Sequence, residues 1–381
     1  MLHFVLDEKF VDLTVQNFDT DLESHSDFYT VVLQKGAFRN IRNSERVGSI
    51  LRRELKAWMS QHITEYDVVI LHTLYALPLS DILQIPKHIP IVWLSWGFDL
   101  YQNIPHPYIN IPLYGPKTQV LVDELKRERD RMRSHRWLKS LVRPLFHLRC
   151  AHLHAKVIQR IDYCGTVLLE EFNLLKKHQS KFHGEQVFLN YASGKVVADT
   201  SSLGSDIMVG NSASFSSNHA DVFDKLSSMF LGSRKVYVPL SYGDMDYQKK
   251  IVDLGRSLFG EQFCPLTEFM PLESYRNVVR SCSHAIYFHL RQQAMGNVRM
   301  SLVYGAKVFL SEKSVQYEYL KKCGYLIFSV ERDLTEANLC TPLSPDEVQR
   351  NREVCGSKNI NPHHQISVFV SRIREAIKKR V

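Results

Sequence analysis

The stretch 207-IMVGNSASFSSNH-219 decides the fold. A short apolar run ends at Gly210-Asn211-Ser212, small polar residues follow, and a helical pattern begins near Asn218-His219. Strand, loop and helix thus succeed one another directly, and the same rhythm continues downstream. Strands are expected at 235–240, near 263, at 284–290, 307–310 and 325–329, with helices at about 218–230, 246–259, 271–282, 297–305 and 315–322. Successive β/α units with right-handed crossovers make a doubly wound parallel sheet. Upstream, 2-LHFVL-6, 29-YTVVL-33, 68-VVILH-72 and 90-PIVWLSW-96 are continuous apolar runs, as strands covered on both faces require, and one helix is expected over 44–63. Residues 117–185 lose the strand pattern and read as a basic helical insertion, 190–206 as a Ser/Gly-rich linker and 361–380 as one amphipathic helix. The fold expected is α/β, of the GT-B layout: two Rossmann-like doubly wound domains facing across a cleft. Residues 1–190 form the first, including the insertion, 206–335 the second, and 336–381 a tail with a closing helix. Periplasmic binding proteins and some epimerases share that layout, so the site must decide the activity.

A chain of 381 residues is long enough for two domains, and 44% hydrophobic with 23% charged residues describes an ordinary globular protein. Seven cysteines without a C-x-x-C pair argue against a disulfide framework or structural zinc, and point to reduced thiols. The N-terminus MLHFVLDEKFVD reads as a first strand rather than a signal peptide. No run reaches the ~18 apolar residues of a membrane span, so any membrane contact is expected to be peripheral. The net charge of +8 is concentrated: residues 126–160 carry eleven Lys/Arg against two acids, more than the whole surplus. In that block Trp137, Leu138, Leu141, Val142, Leu145, Phe146 and Leu148 interleave with the cations. An anionic membrane fits this composition, nucleic acid is a competing partner, and a solvated inter-domain helix explains the charges better than the apolar stripe.

The loops at the strand ends hold the chemistry. After strand 207–210, Gly210, Asn211 and Ser212 turn backbone N–H groups toward the sheet edge, and the helix starting at Asn218 and His219 adds its positive end. A diphosphate suits such a site, and a polar turn with an Asn or Ser cap is the plain alternative. Tyr242 lies in the next loop. Glu268 precedes the helix at 271, where an acid either holds a ribose or sugar diol or merely complements the helix dipole. Arg291, Gln292 and Gln293 end strand 284–290, and Gly296-Asn297 open the following helix, offering a guanidinium fork, two amides and another helix start. In the first half, 95-SWGFDLY-101 places Trp96, Gly97 and Tyr101 around Asp99, a carboxylate positioned to deprotonate or orient an acceptor hydroxyl. His72 ends the preceding strand, as a second base or a structural residue, with Asp7 and Glu8 after it. No His/Asp cluster has metal-ligand spacing, and no metal or other cofactor is expected.

These motifs resemble glycosyltransferase family 56: V-G-N-S at 209–212 with Asn218-His219, W-G-x-D-L-Y at 96–101, Glu268 with Tyr275, and Arg291-Gln292-Gln293 with Gly296, then Gly305-Ala306. The resemblance spans about 66–330. It implies a GT-B enzyme that moves 4-acetamido-4,6-dideoxygalactose from a TDP-linked donor, held by the C-terminal half, to an undecaprenyl-diphosphate-linked saccharide. It also implies work on surface polysaccharide at the inner face of the cytoplasmic membrane. This chain departs from the family pattern at Phe98 and Ala294-Met295 and in an extra basic helix near 120–136. The non-enzymatic alternative is a basic binding protein acting on anionic lipid or nucleic acid through residues 126–160.

Overall fold

The structure, a computed structural model, describes residues 1–8, 10–20, 25–101, 107–132, 150–189, 204–357 and 362–378. It divides into two compact units: residues 1–111, 140–193 and 360–381, and residues 112–139 and 194–359.

In the first unit, β1 (Leu2–Val5), β2 (Asp27–Val32), β3 (Val47–Leu51), β4 (Val69–Leu71), β5 (Ile91–Leu94), β6 (Tyr163–Gly165) and β7 (Glu185–Gln186) form one parallel sheet of order β3-β2-β1-β4-β5-β6-β7. Helices α1 (Val11–Asp19), α2 (Leu55–His62), α3 (Leu79–Ile82), α4 (Phe98–Tyr101), α6 (helical over 150–160) and α7 (Leu169–His178) connect these strands. The C-terminal helix α15 (Pro362–Lys378) returns to this unit, burying Ile366, Phe369, Val370 and Ile373 with Val11, Val15 and Phe18. Burial of such side chains is worth about 1.5–3 kcal/mol each, which is what holds the returning helix.

Two expectations fail here. The helix read over 44–63 is instead a strand, β3, followed by α2. Val47 and Ile50 are β-branched, and Gly48 lets the chain pass under Tyr29, whose ring carbons lie 2.6 Å from where a Cβ would stand. The region 117–185, read as helical throughout, also contains β6 and β7.

In the second unit, β8 (Asp206–Val209), β9 (Val236–Pro239), β10 (Phe263–Leu266), β11 (Cys282–Tyr287), β12 (Lys307–Leu310) and β13 (Phe328–Ser329) form a parallel sheet of order β10-β9-β8-β11-β12-β13. Alternate residues serve opposite faces: Ile207, Val209 and Ile286 pack with α8 (His219–Leu226) and α9 (Met245–Phe259). On the other face Met208, Ala285 and Tyr287 pack with α10 (Leu272–Ser281), α11 (Met295–Tyr304) and α12 (Val315–Lys322). Helices α13 (Glu336–Cys340) and α14 (Pro345–Ser357) complete the unit.

Helix α5 (Pro116–Met132), which the sequence reading put with the N-terminal half, packs on α8 and α9 of this second unit. The Asp221 carboxylate accepts the N–H groups of Lys117 and Thr118 at 2.9 and 3.0 Å, where the helix has no internal partners. Arg129 grips Asp244 through both carboxylate oxygens, at 2.6 and 2.8 Å, and also reaches Asp246. Most of the basic apolar stripe, and the linker 190–203, lie outside the described residues.

Candidate functional site

Both sheets reverse strand order between their first and fourth strands, and ligands of such folds bind at the carboxyl edge of that reversal. In the second unit the reversal lies between β8 and β11. The loops leaving these strands carry Asn211, Ser212, Asn218 and His219 on one side and Arg291, Gln292 and Gln293 on the other.

Gly210 ends β8 at φ 69°, a left-handed conformation, and a Cβ there would collide with the His219 imidazole. Gln293 organises the hydrogen bonds at this edge. Its amide nitrogen donates to Asn211 Oδ1 at 3.0 Å, its amide oxygen accepts the Ser216 hydroxyl at 2.6 Å, and its main-chain N–H donates to Gln316 Oε1 at 3.1 Å. Asn211 in turn donates to the Tyr242 hydroxyl at 3.0 Å, bringing the loop after β9 into the same network. Arg291 donates to the Gln292 carbonyl at 2.8 Å and is 7% exposed. Burial raises the pKa of the Tyr114 phenol, and the Arg291 charge pulls it back. A fixed guanidinium, buried amides and the first turns of α8 and α11 therefore converge on one edge.

Asn218 has a different task. It is fully buried at φ 52°, donates to the carbonyls of Phe288 at 2.8 Å and Leu113 at 3.1 Å, and accepts Gly115 N–H at 2.9 Å. Glu268 is exposed in the turn between β10 and α10, outside that hydrogen-bond network, and Tyr275 is half-buried on α10. Gly296 and Asn297 lie in the first turn of α11, which begins at Met295 behind Ala294, itself left-handed at φ 59°.

In the first unit, Asp99 is fully buried. It accepts Trp93 Nε1 at 2.8 Å, Trp96 N–H at 3.0 Å and Leu74 N–H at 3.2 Å. Burial raises its pKa, and the hydrogen bonds from Trp93, Thr73, Trp96 and Leu74 oppose that shift. Every one of these bonds ties down the turn at 96–101, in which Gly97 stands at φ 77° and Tyr101 is buried. His72 is likewise buried, hydrogen-bonded to His3 at 2.9 Å, with its pKa lowered to about 3 by desolvation. The two residues read as acid–base candidates are thus enclosed, while Trp96, in the same turn as Asp99, packs edge-on against Phe10. Asp7 holds the backbone N–H groups of Arg39, Asn40 and Ile41. A hollow of about 300 Å³ adjoins this edge, walled by Leu74, Tyr75, Leu77 and Pro78 with Arg52 and His154.

Sequence reasoning passed over His289, two residues before Arg291. It is 2% exposed, and neither ring nitrogen has a partner among the described residues; the same holds for His219 Nε2. An unpartnered buried polar atom costs on the order of 1–3 kcal/mol, so two on one ring call for an explanation. The only sequence signal was a histidine inside an otherwise apolar strand end.

Two Rossmann-like units of these strand orders have the GT-B fold of the solved structures they superpose on. Anabaena HepE, solved with UDP-glucose, superposes with a TM-score of 0.59 at 11% identity, covering 99% of this chain and 98% of that one. An Escherichia coli trehalose-6-phosphate protein bound to UDP-2-fluoro glucose gives 0.58 at 9% identity, covering 95% and 96%. The O-GlcNAc transferase of Thermobaculum terrenum gives 0.59 at 10%, covering 100% and 68%. At such identities the likeness establishes the fold. The chain is a glycosyltransferase by its match, over residues 175–340, to the family described as 4-alpha-L-fucosyltransferase, glycosyl transferase group 56. That segment contains all of β8 through β12 and every loop of the β8/β11 edge.

Proposed function

We propose that this glycosyltransferase takes a hexose, a 4-acetamido-4,6-dideoxy sugar, from a TDP-linked donor bound at the β8/β11 edge. The acceptor is a polyprenyl-diphosphate-linked saccharide of bacterial surface polysaccharide, met at the cytoplasmic face of the inner membrane. The observation that carries the donor site is the convergence of Arg291, Gln293, Asn211 and Tyr242 with the starts of α8 and α11. As the glycosidic bond breaks, charge develops on the leaving diphosphate. A buried guanidinium and oriented N–H groups stabilise that charge without reorganising, which is where such sites gain most of their rate. No metal or cofactor enters this scheme.

In the first unit, Asp99 serves by holding the 96–101 turn in shape, and the hollow beside Leu74 and Tyr75, with Arg52 and His154, supports an amphiphilic acceptor. The described part of the basic block spends Arg129 on Asp244 and Asp246, and Arg160 on Asp162 and two carbonyls, which weighs against a non-catalytic role resting on those residues.

A thermal-shift screen of UDP-, TDP- and GDP-sugars, with Arg291→Ala alongside, tests the reading. A ligand at 100 times its Kd should add about 2.7 kcal/mol to the wild type. Unchanged donor affinity and turnover in Arg291→Ala would refute the role given to Arg291, and silence of all three nucleotide classes would refute the donor site.

A further inference from the structure

We propose that His289 is a donor-binding residue of the β8/β11 edge, its imidazole N–H donating to the diphosphate that Arg291 neutralises. The inference rests on the donor site described above and adds to it a residue that no sequence motif marks.

Three observations meet at this ring. Its place is the strand end at the order reversal, two residues from Arg291. Both nitrogens are buried without a partner. The ring also has His219 for a neighbour, and the Arg291 guanidinium and the His219 imidazole both act with burial to keep it uncharged. His219 Nε2 is unpartnered as well, while its Nδ1 meets the Tyr247 hydroxyl at 3.2 Å. The contrast within the unit is sharp. His284, on the same strand β11, has both nitrogens satisfied, by Ser283 at 2.8 Å and the Asn338 carbonyl at 3.1 Å. Among the described histidines of this unit the unsatisfied imidazoles stand at the ligand edge of the sheet, whereas in the first unit His3 Nε2 is unpartnered within the core.

A neutral imidazole beside a guanidinium divides the work. Arg291 supplies charge, and His289 supplies a directed hydrogen bond whose strength does not depend on taking up a proton. Its nitrogens are closed to solvent, so a diphosphate oxygen reaches them only if the turn from Leu290 to Ala294 shifts. That turn carries the left-handed Ala294 at φ 59° and an uncapped helix start, and its shift belongs to donor binding, where the Gln293 bonds to Asn211, Ser216 and Gln316 yield, so the site is set before the glycosidic bond breaks. Asn211 and Gln293 already satisfy one another, whereas His289 lacks a partner until the ligand arrives.

The test uses the full chain with UDP, TDP and GDP as probes, reading Tm without ligand and Kd by calorimetry. His289→Phe keeps an aromatic ring and removes both unsatisfied nitrogens. The expected result is an unchanged or higher Tm with nucleoside-diphosphate affinity weakened about tenfold or more, since a bond to a charged group is lost. His289→Gln, which restores an N–H, is expected to recover most of that affinity. A merely structural ring would give no such separation of stability from binding. Wild-type affinity in His289→Phe overturns the proposal while leaving the donor site standing. If the wild type binds none of the probes, the donor site itself falls and this proposal with it. Should His289→Phe not fold, His289→Leu is read in the same way, and loss of fold in both overturns the proposal by making the ring a packing element.

Discussion

Asn218 shows how a polar residue in a loop can belong to the scaffold instead of the ligand. Its left-handed backbone is a conformation that costs an ordinary L-residue roughly 1–2 kcal/mol, and here its side-chain bonds to Phe288, Leu113 and Gly115 offset that cost. Asn218→Gly keeps the φ angle and deletes the bonds, so a loss of about 2–4 kcal/mol is expected in urea unfolding, and Asn218→Ala should lose more. A change below about 0.5 kcal/mol for the glycine variant would show that the staple carries no weight. Much of the β8/β11 edge was legible in the sequence, because Gly210, Asn211 and Arg291-Gln292-Gln293 follow apolar strands at the places where a parallel sheet presents its loops. What a residue does there was less legible. Asp99 and Asn218 look like solvent-facing polar groups in sequence, and only burial and hydrogen-bond partners, which depend on distant backbone, show them stapling turns. His289 showed only as a histidine at an apolar strand end, because an unsatisfied nitrogen is a property of its surroundings.

Helix α5 makes the same point at the level of elements. Its sequence neighbours are strands of the first unit, yet Asp221 caps its start and Arg129 anchors its far end beside Asp244, the N-cap of α9. Asp221→Ala removes a carboxylate from two otherwise unpartnered N–H groups. It is expected to cost about 1–2 kcal/mol and to speed amide exchange in the first turn of α5. Protection in α5 equal to wild type would show that packing on α8 and α9 suffices alone. Gly115 reinforces the arrangement, since any Cβ there would run into the Asp221 carboxylate. Strands of the second unit were readable because each is an apolar run bounded by a helix of clear period. β3, β6 and β7 were not: β3 is followed within four residues by a helix, and β7 is two residues long, too short for any periodicity to register.

At the scale of the molecule, five buried histidines respond to acid in the same direction. Desolvation lowers His72 and His219 to about 3 and His284 to about 4, and moves His3 and His289 well below the ordinary value. Each pKa is depressed on folding, so the unfolded chain binds more protons below 6.5, the unfolded value. The stability these groups contribute is complete above pH 6.5 and is lost as pH falls toward 4 and 3. Asp99, raised by burial, acts in the opposite sense at the acid end. At pH 5 the cost is about 2 kcal/mol for each of His72, His219 and His284, the last two in the second unit, and His3 in the first unit and His289 in the second add in the same direction. The second unit is therefore expected to unfold first on acidification. Three of the four tryptophans, Trp58, Trp93 and Trp96, belong to the first unit, and the fourth, Trp137, lies outside the described residues. In a Trp137→Phe variant at pH 5 the loss of far-ultraviolet circular dichroism in urea should then begin before the tryptophan emission moves, and coincident transitions would contradict this order.

The short outer strands have a bearing on solution behaviour. β7 and β13 are two residues each, and β10 contains Pro265, which has no N–H to offer. Three of the four sheet margins are therefore poor templates for another chain's backbone. Among the described edge strands, β3, five residues without proline, is the one long enough to recruit another. Its continuation, Arg52-Arg53, is spent within the chain, Arg52 on the buried Asp81 at 2.7 Å and Arg53 on Glu54 at 3.5 Å, so these two cations are already compensated at the margin that length leaves open.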